Sequence, residues 1–361
     1  MNRLLLIGNG FDIAHGLKTS YADFINWYWE QRVTGFSGNL TNVSEDPLCK
    51  FELYDNDIRC WNVFAFYLPR FINKPLGKDV IQSIMEDTSR FKVTRSPFFE
   101  RIIKSIETKG WVDIENEYYS TLVREKDYGD RIKTLNNHLD FLREKLIEYL
   151  NIEKVKGCIL HDEIKDKIYR PIESCELSVK GKQMPENYYA LSKIMMLNFN
   201  YTSTPEMYLY DKATVNYIHG KLEDPQSVIF GYGDELDENY KKLKEQNDFE
   251  CMRQVKSIRY LEHDNYRRML DFIESVPFQV VIMGHSCGNS DRTLLNTIFE
   301  HRNCVSIKPY YYQKDDKTDN YSELTININR NFNNPKLMRD RVVCKDYCEP
   351  LTGDKGLAEM K

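Results

Sequence analysis

The chain opens with a short aliphatic run, Leu4-Leu5-Leu6-Ile7, that breaks at Gly8-Asn9-Gly10 and leads on to Gly16-Leu17. Such a run predicts a strand buried on both faces, and a helix-compatible segment follows from residue 21 to 30. Where a buried strand turns through glycines into a helix, backbone N–H groups point outward with no side chain in the way. The first N–H groups of a helix are unpaired and carry partial positive charge, so this turn suits a phosphate. Three glycines coinciding with the first βα turn favour that reading over a plain chain reversal. An α/β fold is the simplest way to bury such a segment.

The rest of the chain supports this. Apolar runs at 194–199, 214–218, 228–230, 278–283 and 304–312 read as further strands. Charged or amphipathic helical stretches separate them, at 237–275 and 291–301. Buried strands alternating with helices imply a parallel sheet covered on both faces. Residues 36 to 185 read differently. A polar loop at 35–47 precedes helical patterns at 58–71, 80–89, 97–106 and 131–150. Asp113 is placed to cap another helix beginning after Trp111. Leu135, Leu139, Leu142, Leu146 and Leu150 form a stripe at helical spacing, read as core packing. The expected organisation is a discontinuous Rossmann-like domain, 1–35 with 186–361, around a mostly helical insertion, 36–185. A chain of 361 residues has room for both.

Composition removes several function classes. The net charge is −5, so no bulk electrostatic attraction draws the chain to nucleic acid. No window approaches the roughly 20 apolar residues of a membrane span, and the four-residue apolar start is too short for a signal peptide. Nine cysteines are scattered without a Cys-x2-Cys pair, which points to a reduced cytoplasmic protein without a zinc module. The 24 tyrosines and 18 phenylalanines suit helix–helix contacts, and the tyrosine-rich insertion offers a surface for a homo-oligomer.

In a parallel sheet the ligand sits beyond the carboxyl ends of the strands. Four such ends carry polar clusters: Gly8-Asn9-Gly10, Asn198 through Thr202, His219-Gly220, and Gly284-His285-Ser286 through Asp291. Together they would supply a phosphate cradle, a carboxamide and an imidazole suited to acid–base work near neutral pH. Each also has a plainer reading. His219 fits a core histidine, Asn200, Asp12 and Asp291 fit helix caps, and His15, with helical neighbours and no evident partner, is read as structural. Gly284-x-Ser286-x-Gly288 fits a hydrolase nucleophile elbow. The only later histidine, His301, shares one short helix with the intervening acids Asp291 and Glu300, so no triad can form.

Gly8-x-Gly10-x5-Gly16-Leu17, followed by Asp23-Phe24, resembles the nucleotide loop of sirtuins. Asn200-Tyr201 with Glu206, His219-Gly220, and Gly284-His285-Ser286 with Asp291 resemble motifs of bacterial sirtuin-like NAD hydrolases. The full set also resembles the AbiH family of bacteriophage abortive-infection proteins: Ile7 through Asp12 and Ala14 through Leu17, Trp111 through Glu115, Leu197 through Thr202, Ile218-His219-Gly220, Phe230 through Gly233, and Gly284-His285-Ser286. Three departures stand out from the sirtuin-like pattern. Asp12 replaces a serine, Thr202 replaces an aspartate, and Ser286 and Asp291 are two residues further apart. The resemblance implies phage defence and cleavage of the nicotinamide–ribose bond of NAD, with no metal. Asn200 would hold the ribose or the attacking water, and His219 would be the general base. Gly8, Asn9, Gly10, Phe11, Asp12, Gly16, Tyr201, Gly284, His285, Ser286 and Asp291 would contact the dinucleotide. A phage-derived activator is a further implied partner. Two other classes stay open: a nucleotide-binding sensor without catalysis, and a structural or toxin module acting through protein contacts.

Overall fold

The computed structural model describes residues 1–38, 43–53, 91–109, 112–185, 189–233, 235–315 and 317–353. The helices expected at 58–71 and 80–89, and Trp111, lie outside them. The chain divides into two compact units, residues 1–19 with 150–361 and residues 20–149. Residues 20–35 thus group with the second unit and 150–185 with the first.

The first unit is built on five parallel strands: β1 (Asn2–Ile7), β5 (Ile194–Asn198), β6 (Ala213–Tyr217), β7 (Phe278–Met283) and β8 (Cys304–Tyr310). Their order across the sheet is β6-β5-β1-β7-β8, and all four pairings are parallel. The earliest strand is central, with the next two on one side and the last two on the other, the doubly wound Rossmann-like order. Leu4 pairs with Met195 on one edge and Val280 on the other.

Side chains alternate between faces along each strand, and both faces are dry. Leu4, Leu6, Leu197, Val280 and Ile282 enter one core with Met269 and Ile273, Leu294 and Ile298, and Leu324 and Ile328. These last come from three helices, Asn265–Ser275, Arg292–Phe299 and Tyr321–Arg330. Leu5, Ile7, Met196, Val281 and Met283 enter the opposite core with Phe11, Ala14, Ile164 and Ile168. These come from α1 (Asn9–Ala14) and the helix Asp162–Tyr169. Burying the four aliphatic side chains of β1 contributes roughly 6–12 kcal/mol, an upper bound. That is enough to fix β1 at the centre.

The second unit holds a three-stranded antiparallel sheet, β2 (Val43–Glu45), β3 (Cys49–Leu53) and β4 (Phe91–Arg95), with the helices Tyr21–Gly38, Pro97–Lys109 and Ile114–Glu125. The boundary at residue 149 falls within the helix Gly129–Lys154. Its core is aromatic: Tyr28 and Trp29 pack on Phe99 with ring centroids 5.4 and 5.3 Å apart. The leucine stripe is buried, and the Asp113 side chain accepts from the Asn116 N–H as its cap.

Two local expectations are corrected. The polar loop at 35–47 contains the end of a helix and strand β2, because Arg32 pairs with Asp46 at 2.9 Å and bonds the Ser44 carbonyl. Residues 228–230 form no strand. They are buried as irregular chain, the Ile229 N–H donating to the His219 carbonyl and the Ile229 carbonyl accepting from the Tyr201 hydroxyl. Of the described residues, none forms a helix long and apolar enough to cross a membrane.

Candidate functional site

The glycine turn after β1 meets the turn after β7. The Gly10 N–H donates to the Gly284 carbonyl at 2.8 Å, Gly8 donates to Met283, and Phe11 donates to Gly8. A Cβ on Gly8 would lie 2.5 Å from the His285 Cα, and one on Gly284, where φ is +74°, would lie 2.0 Å from the Phe11 nitrogen. The glycines therefore allow two backbones to touch. In this conformation the N–H groups of Gly8, Gly10 and Phe11 are engaged inside the protein, and the crevice where the strand order reverses is filled by Gly284 and His285. Gly16, at φ +87°, follows α1 where Leu17 donates back to the Asp12 carbonyl, so its spacing is explained by helix termination.

On the β5 side, Asn198 organises the next turn: its side chain donates to the Thr202 carbonyl and accepts from the Asn200 N–H. This turns the Asn200 amide toward β1, where it donates to the Gly8 carbonyl at 3.0 Å. Asn200 is not a helix cap. Asp12 is not one either. It is 1% exposed and accepts from the Thr202 hydroxyl at 2.5 Å, while its other carboxylate oxygen is buried with no hydrogen-bond partner. Burial pushes its pKa up to about 6, opposed by Thr202, Thr204 and Asn200.

The third group is buried and charged. Asp291 receives Lys256 at 2.9 Å, His219 Nε2 at 3.2 Å and His285 Nε2 at 3.7 Å. It precedes the helix Arg292–Phe299 but makes no cap bond, because its carboxylate is turned into this cluster. Burial would raise its pKa, but Lys256 and then His219 outweigh that and hold it well below the usual carboxylate range. The Cys287 N–H donates to His285 Nδ1, so the ring proton sits on Nε2, facing Asp291. His219 Nδ1 faces the Phe199 carbonyl at 3.2 Å, and Nε2 faces the Tyr260 hydroxyl at 3.2 Å. Burial first, then Lys256, lowers its pKa, while Asp291 opposes the shift.

The structure thus brings Gly8, Gly10 and Gly284 together, sets Asn200 and Asp12 beside them, and joins His219, His285 and Asp291 in one cluster. Phe11 points into the core against His15 and Tyr208, Tyr201 is fixed to Ile229, Asn9 accepts from Thr19, and Ser286 is exposed. His15, expected to have no partner, bonds the Phe11 carbonyl and the Tyr208 hydroxyl. Lys256 and Tyr260 escaped the sequence, and Asn198, seen in the polar cluster, was not given its role of shaping the turn. Lys256 is one lysine in a charged helical stretch, and nothing around it signals a fully buried side chain. A cavity of about 620 Å³ opens beside Tyr260, but residues 260 to 271 alone line it, and it reaches the cluster only through that tyrosine.

A family model described as "Bacteriophage abortive infection AbiH" matches residues 4–312. No curated protein and no solved structure matches the chain.

Proposed function

Since the chain belongs to the AbiH family of bacteriophage abortive-infection proteins, and so acts in phage defence, we propose that it does so by hydrolysing NAD to nicotinamide and ADP-ribose. One observation carries this reading. The carboxyl edge of a Rossmann-like sheet carries two buried polar groups, Asp12 with Asn200 beside the glycine turn and Asp291 with His219 and Lys256, whose carboxylates are shifted in opposite directions. One is held ionised by a lysine, and the other is raised toward neutrality. Buried carboxyl groups driven apart in pKa at neighbouring strand ends are a feature that acid–base sites share. Cleaving the nicotinamide–ribose bond needs anionic character near a developing oxocarbenium ion and an oriented water. Asn200 is proposed to orient that water or the ribose, with His219, set beside Asp291 in the buried cluster, required for turnover.

The test is nicotinamide release from NAD by the purified protein, with and without infected-cell lysate. Turnover that falls by about 10²-fold or more in His219→Ala and Asn200→Ala supports the hydrolase. A different outcome favours a second reading, a sensor that binds NAD or ADP-ribose without cleaving it. Saturable binding with no turnover in either condition would establish the sensor. Its support is the closed glycine turn and the fully engaged ring of His219, which suit a switch as well as a catalyst.

A further inference from the structure

Asp12 is anomalous for a structural carboxylate. It is 1% exposed, one oxygen has no hydrogen-bond partner, and no cation pairs with it among the described residues. A buried, unpaired acceptor costs stability and is retained mainly where function requires it. Its surroundings are built rather than incidental: Thr202 fixes one oxygen, and Asn200 stands beside it on the amide bond to Gly8. His219 contrasts with it, since that ring already has a partner on each nitrogen.

We propose that Asp12 accepts the proton of the attacking water in the hydrolysis inferred above, on which this assignment rests, with Asn200 orienting the water. The water oxygen bonds to C1′ of the nicotinamide-bearing ribose. The C1′–N bond breaks with its electron pair on the ring nitrogen, and nicotinamide leaves uncharged. The water proton passes to the Asp12 carboxylate and then to solvent. A carboxyl group raised to about 6 is ionised at neutral pH and remains a competent acceptor. The groups facing it do not compete. Thr202, Thr204 and Asn200 are neutral. Cys158 and Tyr217, its titratable neighbours, are both raised and stay protonated.

The experiment combines a wild-type pH profile of nicotinamide release with Asp12→Asn, an isostere that still accepts from Thr202. Wild-type kcat should fall below an apparent pKa near 6. Asp12→Asn should lose about 10²–10⁴-fold in kcat with KM for NAD little changed. The variant should also melt higher than wild type at pH 7.5 and equal to it at pH 4, because a strained carboxylate has been neutralised. A profile flat from pH 5 to 7, or a variant within tenfold of wild type, would overturn the role of Asp12 and leave the hydrolase standing. A variant that melts lower at pH 7.5 would make Asp12 a structural staple and also overturn it. Wild-type protein without turnover, even in infected lysate, would end the hydrolase reading and this one with it.

Discussion

Asp12 and His15 lie three residues apart around a six-residue helix, and their titrations act on stability with opposite sign. Asp12 has its folded pKa raised from 3.8 to about 6. The stability it confers is complete below pH 3.8 and is lost as pH rises through 6. Burial lowers His15 from 6.5 to about 4. Its contribution is complete above pH 6.5 and is lost as pH falls through 4. Each shift corresponds to about 3 kcal/mol, so the two nearly cancel between pH 4 and 6. Replacing His15 with Gln should therefore lower the melting temperature most above pH 6.5, with the deficit shrinking toward pH 4. Thermal melts across that range check this. The sequence showed both residues but not their states. Asp12 read as a helix cap because the partner that captures it, Thr202, is 190 positions away.

At the scale of elements, parallel strands were legible because burial on both faces leaves unbroken aliphatic runs, as in Leu4-Leu5-Leu6-Ile7 and Phe278 through Met283. The run 228–230 was misleading. Three apolar residues are too few to separate a strand from a buried turn whose polar groups bond elsewhere. The antiparallel sheet was illegible because its strands are short and polar, Val43–Glu45 and Phe91–Arg95. The glycine turns were visible as glycines, but not that they meet each other. Gly284→Ala tests that meeting. With φ at +74° and a Cβ 2.0 Å from the Phe11 nitrogen, nothing can move aside cheaply. Destabilisation at the upper end for single substitutions, about 4–5 kcal/mol or more, is expected. It would show as a large drop in melting temperature or loss of soluble protein. Gly16→Ala, with only the Ile159 side chain nearby at 3.5 Å, should cost only the strain of a positive φ, of order 1–2 kcal/mol.

For the whole molecule, family membership makes a prediction about cells. Expressed in a phage-sensitive bacterium, the chain should lower plaque counts yet fail to rescue a culture infected with excess phage. If the proposed chemistry operates, infected cells should also lose NAD, and His219→Ala should restore both plaques and NAD. Plating efficiency and NAD content after infection read the two effects separately.

The central place of β1 has a consequence for how the protein is made. Leu4 cannot complete its pairing until Met195 and Val280 exist. At roughly 5–20 residues per second of synthesis, about 15–55 s separate the first strand from its second neighbour. Throughout that interval an aliphatic segment waits at the ribosome without a sheet, a natural client for a chaperone. Asp12 lacks Thr202 for most of that interval, and Gly10 lacks Gly284 for all of it. A polypeptide released before residue 284 therefore carries no assembled site. The candidate site thus cannot assemble on the nascent chain until the turn after β7 has been made.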